Sequence, residues 1–298
     1  MRKRRVTKTV VGAFFGVLAL CIALSVYIES GRRAREDDQM KFIAGTVSAQ
    51  AYEVLSAQLN KAKTLEAFVV QSDGGTDGFE RVARLLVTDS TVRNVLLAPR
   101  GIVSNVYPLV GNESVLGHDL TGAKAGDKEA QTAIERGTMI MAGPFTLVQG
   151  GLGIAGRLPV YLNGSFWGIV SVSLNFPDAL GGLTLPESVT AQGFACRIWR
   201  FNPDDGSDQT ILTSGVGIPS RAFDYAFPIY NSEWHVTVSP VKPWYTNTTV
   251  LLSAVVSLLL SVSVAFGVSN TSTIRRMEQE AAANRITALQ KQGEYDRT

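Results

Sequence analysis

Arg93-Asn-Val-Leu-Leu-Ala-Pro-Arg-Gly-Ile-Val103, continued by Tyr107-Pro-Leu-Val-Gly-Asn-Glu113, Ala142-Gly-Pro-Phe145, Arg157-Leu-Pro-Val-Tyr161 and Phe166-Trp-Gly168, has the pattern of a sheet with an interior. The pieces Val92 to Ala98 and Ile102 to Tyr107 are rich in β-branched and aromatic residues and are broken by Pro and Gly. That pattern predicts short strands joined by tight turns. Asn163-Gly164 is the clearest local signal, because both central residues of a two-residue hairpin need positive φ and this pair tolerates it best. Leu158 to Leu162 and Phe166 to Leu174 are therefore expected to pair antiparallel.

The two ends of the chain show what this sheet is mounted on. Arg2, Lys3, Arg4, Arg5 and Lys8 precede an uncharged apolar run from Thr9 to Ile28, and a second apolar run covers Val250 to Val268. Runs of about 20 residues rising about 1.5 Å each cross a hydrocarbon core of about 30 Å. The exit of the first run, Ser25-Val-Tyr-Ile-Glu29, lacks the small-x-small pattern of a cleavage site, and Leu20 before Cys21 does not suit a lipoprotein box. An uncleaved anchor is expected instead. Basic residues before the first run and Arg275 and Arg276 after the second place both termini in the cytoplasm, with Tyr27, Trp244 and Tyr245 at the outer interface. A mean hydropathy of +0.12 with 18% charged residues fits a membrane protein carrying one soluble module. The net charge of +2 points to no nucleic acid, since much of the positive charge is the topology signal itself. Cys196 has no ectodomain partner, which excludes an intramolecular disulfide framework.

After the first span, Val47, Ala51, Leu55, Leu59, Ala62, Leu65 and Val69 recur at spacings of three and four. This predicts an amphipathic stalk helix ending at Ser72-Asp-Gly-Gly75, with a second copy packed on it in a parallel dimer. Further helices are expected at Gly78 to Thr88 and Asp127 to Arg136, where Asp127 and Glu129 place favourable charge at a helix N-terminus, and a single helical turn at Pro177 to Gly181. A second β-rich segment follows: Phe194 to Phe201, a turn at Pro203 to Gly206, Thr210 to Thr213, Ala222 to Tyr230, then Asn231-Ser-Glu233 as the turn into Trp234 to Val238. The class is α+β, two antiparallel-sheet lobes on a long stalk helix flanked by two transmembrane helices. The expected boundaries are a cytoplasmic N-terminus at 1–8, a first span at 9–28, an extracytoplasmic domain at 29–245, a second span at 250–268 and a cytoplasmic helix at 269–298. Within the extracytoplasmic part, the stalk covers 32–72, the distal lobe 77–185 and the proximal lobe 186–245.

Ala98-Pro-Arg-Gly101, Tyr107-Pro-Leu109, Gly111-Asn-Glu113, Leu116-Gly117, Ala142-Gly-Pro144, Arg157-Leu-Pro-Val-Tyr161 and Trp167-Gly168 follow in order between two spans. This series resembles the CHASE domain, an extracytoplasmic sensor, over nearly the whole ectodomain, and Trp234, Pro240 and Trp244 fit as well. The resemblance implies two PAS-like lobes on a long helix, a homodimer, and a small ligand bound in the membrane-distal lobe. It also implies a sensor or receptor of the cell inner membrane, with the signal passed through the second span to a cytoplasmic output. Glu294-Tyr-Asp-Arg-Thr298 resembles the approach to the Asp-x-Leu-Thr-Gly-Leu segment that opens diguanylate cyclase domains, so that output is expected to be a diguanylate cyclase, with a histidine kinase second. A periplasmic protein-docking module is the alternative from another class.

Chemistry of other kinds lacks its residues. Gly151-Leu-Gly-Ile-Ala-Gly156 matches GxGxxG, but a dinucleotide fingerprint must open a helix, and Arg157-Leu-Pro159 is strand-like. The glycines are expected to form a loop between two strands, and no cofactor is expected. Two histidines, His118 and His235, with no metal-ligand spacing and no GxSxG, leave no catalytic or metal site and no enzyme in this chain. A ligand pocket needs a few oriented polar groups among apolar walls, and Arg100, Tyr107, Asn112, Glu113 and Arg157 are the candidates. Each also has a structural account: Asn112 and Glu113 cap a turn, and Arg157 pairs with a carboxylate. In the spans, Gly12 and Gly16 form GxxxG, and Ser253, Ser257 and Ser261 recur every four residues, which are packing faces for a bundle of two protomers.

Overall fold

The computed structural model describes residues 2–122, 128–183, 185–202, 206–243, 246 and 248–295. Trp244, Tyr245, Asp127, the turn beginning at Pro203 and the last three residues lie outside them. The chain divides into two compact units, one made of Met1–Asp37 with Lys242–Thr298 and the other of Asp38–Val241.

Unit 38–241 is built on a helical stalk. Helix α1 (Arg2–Leu59) enters it and α2 (Lys61–Gln71) continues after Asn60, whose φ of -64° and ψ of -11° are themselves right-handed helical. The helical path runs on through Asn60 to Gln71. The apolar stripe runs straight past this residue: Val47, Ala51, Leu55, Leu59, Ala62, Leu65 and Val69 are all buried. At the far end, the Ser72 hydroxyl bonds to the carbonyls of Phe68 and Gly75 and closes the turn the breaker cluster predicts.

A five-stranded antiparallel sheet packs on this stripe in the order β2-β1-β5-β4-β3. Its strands are β1 (Val92–Pro99), β2 (Asn105–Tyr107), β3 (Ile140–Thr146), β4 (Leu152–Leu162) and β5 (Ser165–Asn175). Asn163 and Gly164 have φ of 49° and 79°, which makes the β4–β5 hairpin as the sequence predicts. Of the GxGxxG segment, Gly151 stands in the turn before β4, with φ of 82°, and Leu152 to Gly156 lie in the strand rather than in a loop. Gly156 sits where the stalk comes close, since a Cβ there would stand 3.1 Å from the Leu59 side chain. Glycine at that position records helix–sheet contact rather than flexibility.

Helices α3 (Phe79–Leu86) and α4 (Lys128–Arg136) flank the sheet. Ala130 of α4 joins Leu96, Ala98, Val103, Val106, Val115, Leu120 and Ile169 in a second cluster on the sheet face opposite the stalk. After α5 (Leu185–Ala191), a four-stranded antiparallel sheet follows in the order β7-β6-β9-β8. It comprises β6 (Phe194–Phe201), β7 (Asp208–Ser214), β8 (Phe223–Ile229) and β9 (Ser232–Pro240). Its inner face buries Ile198, Phe227, Ile229, Trp234, Val236 and Val238 in the same core as the stalk stripe. The turn into β9 is Tyr230-Asn231 rather than Asn231-Ser-Glu233, because Ser232 and Glu233 already pair with Ile229 and Pro228. Tyr230 stacks on Tyr52 of α1, centroids 6.5 Å apart, and burial, with Tyr52 beside it, pushes the Tyr230 phenol up to about 12.

Burial likewise pushes the Cys196 thiol up to about 11. Since the thiolate is the reactive form, a Cys21→Ser chain at pH 8 is expected to resist iodoacetamide at Cys196 until urea unfolds it. Equal labelling rates in the folded and unfolded chain would contradict the burial described here.

In the other unit, α1 and α6 (Thr248–Tyr295) each contain a stretch long and apolar enough to cross a membrane. The two helices run side by side where Ser25–Arg33 and Thr249–Ser253 border one groove. Ser257 and Ser261 are buried, and their hydroxyls donate to the carbonyls of Ser253 and Ser257, at 2.6 and 2.7 Å. Ser253 donates to Val250. A side chain at Gly12 or Gly16 would meet nothing within 4 Å.

Candidate ligand-binding site

Strand register builds the site. Across the sheet face away from the stalk, Asn94, Ser173, Ala155 and Ala142 form one cross-strand row, and Leu96, Ser171, Arg157 and Ile140 form the next. Side chains alternate faces along a strand, so both rows point the same way. The opposite face of the same strands is wholly apolar, with Val95, Leu97, Val170, Val172, Leu158 and Val160 against the stalk. Two polar rows in strands buried on both sides are unusual, because a buried polar group must be hydrogen-bonded or costs free energy.

Above these rows lies a cavity of about 640 Å³, walled by Val115, His118 and Leu120, by Lys128, Glu129 and Thr132 of α4, and by Gly143 to Gln149, which span the end of β3 and the turn after it. Arg200, Asn202, Gln209 and Asn231 border it from the four-stranded sheet. Arg157 is 7% exposed, and its Nη1 donates to Ser171 Oγ at 2.7 Å. Arg200 is 6% exposed, and its Nε donates to Gln209 Oε1 at 2.8 Å.

Asn94 is 0% exposed. Its Nδ2 donates to Asn112 Oδ1 at 2.9 Å, while Asn112 Nδ2 donates to the Pro108 carbonyl at 3.0 Å. A carbonyl can only accept, so Pro108 fixes the amide of Asn112, and Asn112 in turn fixes that of Asn94. Asn94 Oδ1 is left inside the cavity wall with no donor among the described residues. Such an acceptor costs about 1–3 kcal/mol while it stays unmet.

The cavity is tied to the second sheet through an edge strand. Met141 N–H donates to Asn231 Oδ1 at 2.8 Å, and Gln209 Nε2 donates to the Pro144 carbonyl at 3.2 Å. Both acceptor and donor on β3 lie where its pairing with β4 is interrupted or ends, between Ala142 and Phe145 and along the outer edge.

Of the five residues singled out from sequence, Arg157 lies in the cavity and Asn112 directly behind it, holding Asn94. Arg100 is an exposed turn residue with φ of 56°. Tyr107 pairs with Val95 and packs toward the stalk side. Glu113 opens a short helical turn, where the N–H groups of Glu113 and Gly111 hold its carboxyl below the usual range. Asn94, Ser171, Ser173, Arg200 and Gln209 were not singled out. The alternation Ile169-Val-Ser-Val-Ser-Leu174 carries the signal, since polar residues at every second place in an otherwise apolar strand mark one face as lining something polar.

Elsewhere, His235 Nδ1 meets Asp224 Oδ2 at 2.7 Å and its ring stacks on Trp199, which accounts for it on the outer face of the second sheet. Among the described residues, no group of three His, Cys, Asp or Glu is placed to hold a metal ion.

The CHASE domain family matches this chain over residues 48–212, more than half its length. The chain belongs to the CHASE-domain family. This is a family of sensor domains, and the matched CHASE segment holds all of β1 to β6 and most of β7. No curated protein matches the chain in sequence. Among solved structures, an extracellular ligand-binding receptor from Desulfohalobium retbaense is 15% identical, with a TM-score of 0.54. The alignment covers 67% of this CHASE chain and 40% of that receptor, so the chain spans well under half of the receptor's length. The ligand-binding domain of the Pseudomonas aeruginosa amino-acid chemoreceptor PctC, solved with GABA, is 15% identical, with coverage of 67% and 97% and a TM-score of 0.48. The sensory domain of the Campylobacter jejuni chemoreceptor Tlp3 is 11% identical, with coverage of 72% and 96% and a TM-score of 0.49. At these identities the likeness is one of fold.

Proposed function

We propose that this chain is the sensor part of a two-pass inner-membrane receptor, with its two PAS-like lobes in the periplasm, both termini in the cytoplasm and a homodimer as the working form. A small molecule enters the cavity on the five-stranded, membrane-distal sheet. Its presence alters β3, whose outer edge is hydrogen-bonded to Asn231 and Gln209. The second sheet leads through β9 into α6, which crosses the membrane and carries the signal to a diguanylate cyclase. A histidine kinase is the second output considered. The observation that carries the reading is the cavity itself, roomy and floored by oriented, buried polar side chains in a family of sensors.

Thermal unfolding of the full chain in lipid nanodiscs, with pools of amino acids, organic acids and purines, tests it. At 100 times Kd a ligand adds about 2.7 kcal/mol to native-state stability. For a unit of this size that raises Tm by roughly 5 to 10 °C. A folded chain that no pool shifts would turn attention to protein docking. That second reading is favoured by one observation, the exposed apolar side chains of Leu109, Val110 and Leu116.

A further inference from the structure

Three parts of residues 38–241 meet at one hairpin turn. Tyr230 and Asn231 join β8 to β9, with Ile229 and Ser232 paired on either side of them. Tyr230 stacks on Tyr52 of the stalk, ring planes 23° apart. Asn231 borders the cavity, and its Oδ1 accepts the Met141 N–H of β3 at 2.8 Å. We propose, on the receptor reading above, that this turn passes occupancy of the cavity to the stalk and to β9, with Asn231 as the residue that positions β3.

Strand β3 is well placed to respond to an occupant. It is an edge strand, Ala142 to Thr146 line the cavity, and its ladder with β4 is interrupted between Ala142 and Phe145. Met141 adjoins Ala142 and is 1% exposed. The outward N–H of a buried edge residue must find an acceptor, because water does not reach it. Asn231 supplies that acceptor from another sheet, 90 residues further along the chain. A shift of β3 against an occupant therefore either carries the turn with it or breaks this bond.

The turn itself is held from two sides. Tyr230 has φ of 54°, a costly region for so large a side chain, and such residues persist only where their surroundings over-determine them. The stack on Tyr52 does so from the stalk, and the bond of Asn231 to Met141 does so from β3. Beyond the turn, β9 lies between β6 and β8 in the middle of its sheet, and from its last residue, Pro240, the chain runs on to α6. The other tie to β3 lacks these connections. Gln209 Nε2 donates to the Pro144 carbonyl, but Gln209 lies on β7, an edge strand that is followed by β8 rather than α6.

Hydrogen exchange of the full chain in nanodiscs, read by mass spectrometry, tests the turn. The probe is whichever of the amino-acid, organic-acid and purine pools raises the native Tm most, at saturating concentration. In the native chain it should change exchange by roughly fivefold or more in three places, locally in β5 and remotely at 48–56 and in β9. In Asn231→Ala both remote responses should fall by roughly fivefold or more relative to the β5 response. Asn231→Asp, whose carboxylate also accepts from the Met141 N–H, should restore them. Tyr52→Ala, at a half-exposed position outside the cavity, should lose the response at 48–56 while keeping those of β5 and β9. A merely structural Asn231 would alter exchange with and without the probe alike and leave the ratio unchanged.

Remote responses that keep their ratio in Asn231→Ala, or a native chain that responds in β5 alone, would overturn this coupling and leave the receptor in place. Loss of the β5 response together with the remote ones in Asn231→Ala would make Asn231 a ligand contact and likewise overturn it. No response in β5 to any pool, in a chain that unfolds cooperatively, would overturn the receptor reading and the coupling with it. Where Asn231→Ala does not fold, Tyr52→Ala decides, since an undiminished response at 48–56 in that chain contradicts the coupling.

Discussion

Replacing Trp234 by Ala is expected to lower the unfolding free energy by about 3–5 kcal/mol and Tm by roughly 10 °C. Trp234 is fully buried, packs edge-on against Phe227 with centroids 6.4 Å apart, and anchors the inner face of the four-stranded sheet in the core shared with the stalk. Domains are stable by only about 5–15 kcal/mol, so this one truncation removes a large part of what holds the second sheet. Its indole Nε1 has no acceptor among the described residues. Trp234→Phe should therefore cost much less than Trp234→Ala, about 1 kcal/mol, because the lost apolar area is offset by removing a buried N–H that is not bonded. Equal midpoints in urea for the Ala variant and the native chain would contradict this packing.

Gly168→Val is expected to destabilise by about 3 kcal/mol or more, through a different cause. Gly168 lies in β5 between Pro99 of β1 and Val160 of β4. A Cβ at that point would collide with the carbonyl oxygen of Ala98 and lie 2.8 Å from Pro99 Cα. The obstacle is backbone on a central strand, so no rotamer change relieves it, and β1 must separate from β5 at that end. Gly164, where a side chain would meet nothing within 4 Å, provides the contrast, although its positive φ adds modest strain of its own. Urea unfolding of the full chain reads the difference; a Gly168→Val chain with an unchanged midpoint would show that the strands are not this close.

These sites also show which parts of the fold were legible in the sequence. The stalk stripe was legible because burial on one helix face imposes a spacing of three and four, and every residue it named is buried. The β4–β5 hairpin was legible because its turn needs two residues with positive φ, and Asn-Gly supplies them. Gly153 and Gly156 misled because glycine has two uses. It frees a loop, or it lets a neighbouring element approach, and only the position of Leu59 decides between them. The start of β9 was placed late: Asn231 looks like a turn former, and so it is, but Tyr230 is its partner with φ of 54°.

The cavity was harder to read than the fold. Arg157 stood out because a charge within an apolar strand invites explanation. Asn94 did not, since one amide in a strand is ordinary, and its meaning comes from Asn112, Pro108 and Ser173, which register alone brings to it. Arg200 and Gln209 lie in a different sheet, and nothing local in β6 or β7 shows that they border a space closed on its other sides by β3 and α4.

The central claim, that a small molecule occupies this cavity and no other place, is tested most directly by blocking it from the wall. Ala142 lines the cavity, is almost fully buried and lies in the same row as Asn94, so Ala142→Leu adds bulk at the wall without replacing any polar group. Thermal unfolding of the native and Ala142→Leu chains in nanodiscs should be compared with and without the metabolite pool that most raises the native Tm. The account predicts a cooperative transition for both and a pool-induced rise of roughly 5 to 10 °C for the native chain alone. A rise of the same size in Ala142→Leu would place the ligand elsewhere and contradict the account.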